Sequence, residues 1–317
     1  MNRTSHSLLL TAVVAGVIAI VTSAAIARIA SAPMPYGVVE VRDGGVIAGT
    51  VTLDGPPPEP KGFNLVTFPD PEYCGRISDG HGWRLLRDFV VDPDTGGLKD
   101  VLVMLDGVQA GKPFEVSIPR VEARDCQFLP YVTVVRDGHG VEVVNMDPVM
   151  HDVQAYETSI ELGARVLFNS PLPMNHYHKR GDLHAHHRHL PGESMLERIK
   201  LSKGRQIFLM QCGFHAYMES WAFAVSNPYY AVTDRSGSFT IANVPPGTYR
   251  LVAWHPQSGP PPPRRVVVEA GSRTAVSLSL RAPQGRRSAY QVVKNPRFGQ
   301  GILGRPLEII PLVEQQH

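Results

Sequence analysis

The stretch Gln206-Ile207-Phe208-Leu209-Met210-Gln211-Cys212-Gly213-Phe214-His215-Ala216-Tyr217-Met218-Glu219-Ser220-Trp221-Ala222-Phe223-Ala224-Val225 decides how the chain reads. Residues 206–210 and 221–225 are short apolar runs flanking a turn, which predicts two strands. The turn carries a thiol, an imidazole and a thioether at the spacing Cys-x-x-His-x-x-Met. Composition alone produces about 0.003 such patterns by chance, so the spacing is informative. A Cys ending one strand, a His on the turn and a Met entering the next strand can converge on one point.

Working outward, Tyr131-Val132-Thr133-Val134-Val135, the turn Asp137-Gly138 and Val141-Glu142-Val143-Val144 read as a hairpin. Asn145-Met146-Asp147-Pro148-Val149-Met150-His151 follows and supplies a second imidazole from a different strand. Thiolate and imidazole bind copper tightly, and a thioether is a weak, soft axial ligand. The expected set is therefore His151, Cys212, His215 and Met218, holding one type 1 copper. Zinc is the rival because it also takes Cys and His, but methionine is a poor zinc ligand.

These residues resemble the cupredoxins. Cys212-x-x-His215-x-x-Met218 is similar to the short ligand loop of amicyanin-type plastocyanins, and Asn145-x-Asp147-x-x-x-His151 to the segment carrying their first histidine. The resemblance spans about 126–226 and implies a Greek-key β-sandwich, one-electron transfer and a redox protein such as a cytochrome or oxidoreductase as partner. It also implies that His215 presents an exposed edge ringed by Phe214, Ala216 and Tyr217. There are two departures. Asp152 stands where cupredoxins often have the Asn that ties the two ligand loops together. Residues 157–198 look like an insertion.

That insertion holds six of the 13 histidines: His176, His178, His184, His186, His187 and His189. Such a tract is either a looser secondary metal site or a solvated loop. The paired histidines are similar to those of multicopper oxidases, but Gln211 and Gly213 flank Cys212, so the His-Cys-His link of those enzymes is missing. Four protein ligands leave no open position for substrate, so no enzyme is expected.

Beyond Asn227-Pro228 the chain alternates strand and turn: 238–241, 248–254, 265–268 and 275–280. Thr233-Asp234-x-x-Gly237-x-Phe239 and Val244-Pro245-Pro246-Gly247-Thr248-Tyr249 resemble carboxypeptidase regulatory-like domains, which implies a smaller antiparallel β-sandwich of the carbohydrate-binding-like fold over 227–282. Trp254 reads as core rather than a sugar platform, and His255 as a strand-end surface residue.

At the other end, Leu8 to Ala27 carries no charge and Ala30-Ser31-Ala32 reads as a cleavage site. Residues 1–35 are expected to be a signal peptide or a membrane anchor, which places the remainder in a periplasmic or extracytoplasmic compartment. Oxidising conditions there make Cys74 and Cys126 the natural disulfide pair.

The expected chain is thus all-β: a copper domain over 36–226, a smaller sandwich over 227–282 and an unassigned tail over 283–317. With 29 Gly and 28 Pro among 317 residues, a long-helix protein is excluded. A formal net charge of +2 implies no nucleic acid partner. Membrane contact is expected only through residues 1–35. The rival functions are copper handling by the histidine tract and a structural or carbohydrate-binding module.

Overall fold

The computed structural model describes residues 36–86, 88–115, 117–158, 164–178, 190–202 and 204–283. Residues 1–35, expected to be a signal peptide or anchor, His184, His186, His187 and His189, and the tail from 284 lie outside the described residues. The structure is all-β. Its strands are β1 (Gly37–Val38), β2 (Gly45–Asp54), β3 (Lys61–Asn64), β4 (Trp83–Leu86), β5 (Leu102–Asp106), β6 (Ala110–Gly111), β7 (Arg120–Ala123), β8 (Phe128–Leu129), β9 (Val132–Val135) and β10 (Gly140–Asn145). They continue as β11 (His151–Thr158), β12 (Arg165–Leu172), β13 (Ser194–Arg198), β14 (Ile207–Gln211), β15 (Glu219–Ala224), β16 (Tyr230–Val232), β17 (Ser238–Val244), β18 (Gly247–Trp254), β19 (Arg264–Val268) and β20 (Arg273–Arg281).

One sandwich packs the five-stranded sheet β12-β11-β14-β15-β9 against the four-stranded sheet β13-β10-β7-β8. Strand alternation builds it: along β11 every second residue from His151 to Glu157 is buried, and along β14 Phe208 and Met210 point the same way. Val121, Val143, Val153, Phe208 and Met210 share one core. The expected hairpin 131–144 is not formed. β9 pairs in parallel with β15, whereas β10 pairs with β13 and β7 in the other sheet. Both strands have an inward apolar face, and a sandwich satisfies both by sending the chain across from one sheet to the other. The interval 157–198 is likewise not a simple insertion, because β12 and β13 supply an edge strand to each sheet.

The second sandwich also corrects the expected domain division. Its sheets are β16-β5-β18-β19 and β17-β2-β20, so β2 and β5 are built into it beside residues 230–281. β2 runs parallel to β20 from Val46↔Arg273 to Asp54↔Arg281. The approach is so close that a Cβ at Gly49 would meet the Val276 carbonyl oxygen at 1.7 Å, so only glycine fits. Ile47, Val51, Val103 and Leu105 bury their side chains with Phe239, Ile241, Leu251 and Val276. A 227–282 segment alone would leave that face bare. A third cluster, Leu102, Val132, Phe223, Val225 and Trp254, joins strands of both sandwiches. Trp254 is therefore core, packed 5.1 Å from Phe223. His255 is not a surface residue: it is fully buried and stacked on Phe89.

Candidate metal centre

Three of the four expected ligands meet at one end of the first sandwich. His151 opens β11, and Cys212 follows the last residue of β14. The pairing Gln154↔Gln211 places Val153 opposite Cys212, so His151 and Cys212 occupy inward positions on adjacent strands. His215 sits on the turn that follows. The loop is closed by Cys212 N–H to the Met218 carbonyl at 3.2 Å and Met218 N–H to the His215 carbonyl at 2.8 Å. Gln211 Nε2 braces it by donating to the Ala216 carbonyl at 2.8 Å. Asp152 does the tying expected of an Asn, because its carboxylate accepts the Gly213 N–H. Met218 is buried in the same core as Cys212.

The donor atoms form a triangle. His151 Nδ1 and His215 Nδ1 are 3.3 Å apart, and Cys212 Sγ lies 3.9 Å and 3.7 Å from them respectively. The point equidistant from all three lies about 2.1 Å from each, the bond length of nitrogen and close to that of sulfur on a first-row metal. All three residues are buried.

The outer partners fix the tautomers. His151 Nε2 lies 2.9 Å from the buried carboxylate of Asp147, and His215 Nε2 lies 3.1 Å from the Pro69 carbonyl. Both partners only accept, so each Nε2 carries a hydrogen and each ring turns its Nδ1 inward, the atom a neutral ring offers to a metal. Asp147 is itself held by the N–H groups of Asp125 and Cys126 and by the Tyr73 hydroxyl. Burial, then the neighbouring His151, pushes the His215 pKa down to about 4, so the ring is neutral at pH 7. Burial pushes the Cys212 thiol up to about 12, while the backbone N–H groups of Asp152 and His215 work the other way. Without a cation, Cys212 is a thiol beside the two Nδ1 atoms.

Cys74 and Cys126 are joined, with an S–S distance of 1.99 Å. A second group of close donors, Cys126, Asp147 and His151, is therefore no thiolate site, because the Cys126 sulfur is in that bridge. The expected partner surface is corrected. His215 is 0% exposed, covered by the segment containing Pro69 and Cys74, and Tyr217 is buried against Phe63 and Phe68. Phe214 is 41% exposed and Ala216 is half-buried. In the histidine tract, His176 is exposed with its ring tilted against Tyr177 at 4.1 Å, and His178 Nε2 contacts the Met146 carbonyl at 2.9 Å. Among the described residues neither belongs to a donor cluster. Asp147 and the 65–78 cover escaped the sequence reading. Asp147 lay inside the segment quoted for His151, while the cover has no local signal beyond Cys74.

Comparison with known proteins adds the following. Residues 218–276 match the family described as polysaccharide lyase family 4, domain II, and not the carboxypeptidase regulatory-like family expected for 227–282. The match begins at Met218 and takes in β15, which belongs to the first sandwich. No curated protein matches the chain. Among solved structures, the chain is similar to a purple cupredoxin from Nitrosopumilus maritimus, at 16% identity over 34% of this chain and 99% of that one, with a TM-score of 0.24. It is similar to a reduced amicyanin variant at 13% identity over 35% and 85%, with a TM-score of 0.24. A copper-containing nitrite reductase from Thermus scotoductus shares 18% identity over 36% of this chain, which spans 24% of that enzyme, with a TM-score of 0.24.

Proposed function

We propose that this chain is a one-electron carrier that holds a single copper ion on His151, Cys212 and His215, with Met218 as a weak fourth ligand. One observation carries the reading: the Nδ1 atoms of two buried imidazoles 3.3 Å apart face a buried cysteine sulfur 3.9 Å and 3.7 Å away. A soft set of one thiol and two imidazoles, with a thioether in the loop, favours copper. Copper bound there supplies exchange of one electron between its two common oxidation states.

The chain's part is to keep the donors still. Asp147 and the Pro69 carbonyl hold the two rings by their outer nitrogens, and Asp152 ties the Cys212 turn to β11. A frame that does not rearrange between charge states lowers the cost of electron exchange. Phe214 gives a redox partner an exposed apolar contact on the ligand loop itself. Export to a periplasmic or extracytoplasmic space accords with the Cys74–Cys126 bridge.

The test is to titrate the purified full chain with Cu(II) and record the visible spectrum and the bound copper. An intense thiolate-to-copper band saturating at one copper per chain is expected. A colourless protein, or equal preference for zinc with no such band, overturns the reading.

A further inference from the structure

The excursion between β3 and β4 covers the metal centre, yet it is foreign to the ligand-bearing sheets. Among the described residues β3 and β4 pair only with each other. Between them the chain makes a 3-10 turn at Leu65–Thr67, a helical turn at Pro71–Cys74 and another 3-10 turn at Gly75–Ile77. Side chains and one covalent bond attach this segment to the first sandwich. Leu65, Tyr73, Cys74 and Ile77 are buried in the same core as Cys212, Tyr217 and Met218. The Phe68 ring meets the Tyr217 ring edge-on at 5.2 Å. The Arg76 guanidinium lies 3.9 Å over the Tyr73 ring and bonds Asp125 at 3.0 Å.

Its contacts fall on the outer edges of both ligand rings. Pro69 offers its carbonyl to His215 Nε2 at 3.1 Å, and Cys74 Sγ lies 3.6 Å from the same nitrogen. Tyr73 donates to Asp147 Oδ1 at 2.9 Å, while Asp147 Oδ2 holds His151 Nε2. Cys126, bridged to Cys74, donates its N–H to Asp147 at 2.9 Å. The bridge spans 52 residues and anchors the segment beside β8, where no ladder does.

We propose that residues 65–78 are a lid over the metal centre, locked by the Cys74–Cys126 bridge, and that a metal ion enters or leaves only when this lid lifts. The inference rests on the copper reading for the identity of the ion, not for the lid itself. Metal loading then precedes closure of the bridge or waits on rare openings of the locked segment. The lid also bars a partner from the His215 edge and leaves Phe214 as the exposed contact on the ligand loop.

The test compares the full chain with a Cys74→Ser/Cys126→Ser variant in two ways. Amide hydrogen exchange is measured on metal-free protein, and Cu(II) uptake and release to a chelator are followed by spectroscopy. In the variant, exchange at residues 65–78 is expected to rise by about ten-fold or more while β14 stays protected. Uptake and release accelerate together, so affinity changes less than either rate. Equal exchange at 65–78 with equal uptake rates overturns the lid. If the wild-type chain binds no copper, the copper reading fails, and the exchange data alone decide the lid. Should the double variant misfold, Phe68→Ala keeps the bridge and removes the contact with Tyr217. A smaller rise of the same kind supports the lid, and no change overturns it.

Discussion

Replacing Asp147 by Asn probes how the centre is held. Asp147 Oδ1 accepts from the Tyr73 hydroxyl at 2.9 Å and the Asp125 N–H at 2.7 Å. Oδ2 accepts from the Cys126 N–H and His151 Nε2, both at 2.9 Å. Four donors thus converge on one fully buried carboxylate. An Asn keeps one acceptor oxygen and points an NH2 group at the other two donors, so two charge-assisted bonds are lost and a buried N–H is set against another. At about 1.5–3 kcal/mol for each such bond, the metal-free protein should lose about 3–6 kcal/mol. If the NH2 faces His151, the ring must put its hydrogen on Nδ1, where the metal binds, and affinity should fall about 10- to 100-fold. Tyr73→Phe is the companion variant. It removes one bond, leaves the His151 tautomer alone, and should cost about 1.5–2 kcal/mol with little effect on affinity. Urea unfolding gives the stability, metal titration the affinity, and imidazole nitrogen shifts the tautomer. An Asp147→Asn protein within about 1 kcal/mol of wild type and with unchanged metal affinity would refute the reasoning.

Three other measurements bear on the site and its frame. Because the Cys212 thiol is pushed up to about 12 and His215 down to about 4, metal binding should release the Cys212 proton, and apparent affinity should rise about ten-fold per pH unit between roughly pH 7 and 9; a pH-independent affinity argues against thiolate ligation. Cys212→Ala should abolish the thiolate-to-copper band, whereas Met218→Leu should keep bound copper and raise its reduction potential, read by redox titration. Glu157 lies on the inward face of β11 and bonds Arg165, Arg205 and Ser202. These partners, Arg165 first, hold its pKa at about 2, so its stabilisation is present above about pH 4.5 and is lost as pH falls from there towards 2. Glu157→Ala should cost about 2–3 kcal/mol at pH 7, discounted because Arg165 is half exposed, and little at pH 2, as followed by thermal unfolding at both pH values.

Several elements were legible because their signals are local. The runs 206–210 and 221–225 became β14 and β15, paired from Ile207↔Phe223 to Gln211↔Glu219. Asp234-Arg235-Ser236-Gly237 is a turn because the Asp234 carboxylate takes the N–H groups of Ser236 and Ser238 while Gly237 adopts φ 74°. The false hairpin at 131–144 had an equally good local pattern. A turn signal states that the chain bends, not which sheet it bends into. Likewise nothing near β2 in sequence named β20 as its neighbour.

By itself the sequence determined an all-β chain and pointed to His151, Cys212 and His215, whose donor atoms the fold brings together, because strand periodicity and the Cys-x-x-His-x-x-Met spacing are properties of adjacent residues. Only the tertiary structure decided that His215 is covered, that Asp147 sets the tautomer of His151, and that the first long strand closes the second sandwich. Those features depend on which distant surfaces share a core. That choice is made by burial summed over the whole fold, so no short window of residues contains it.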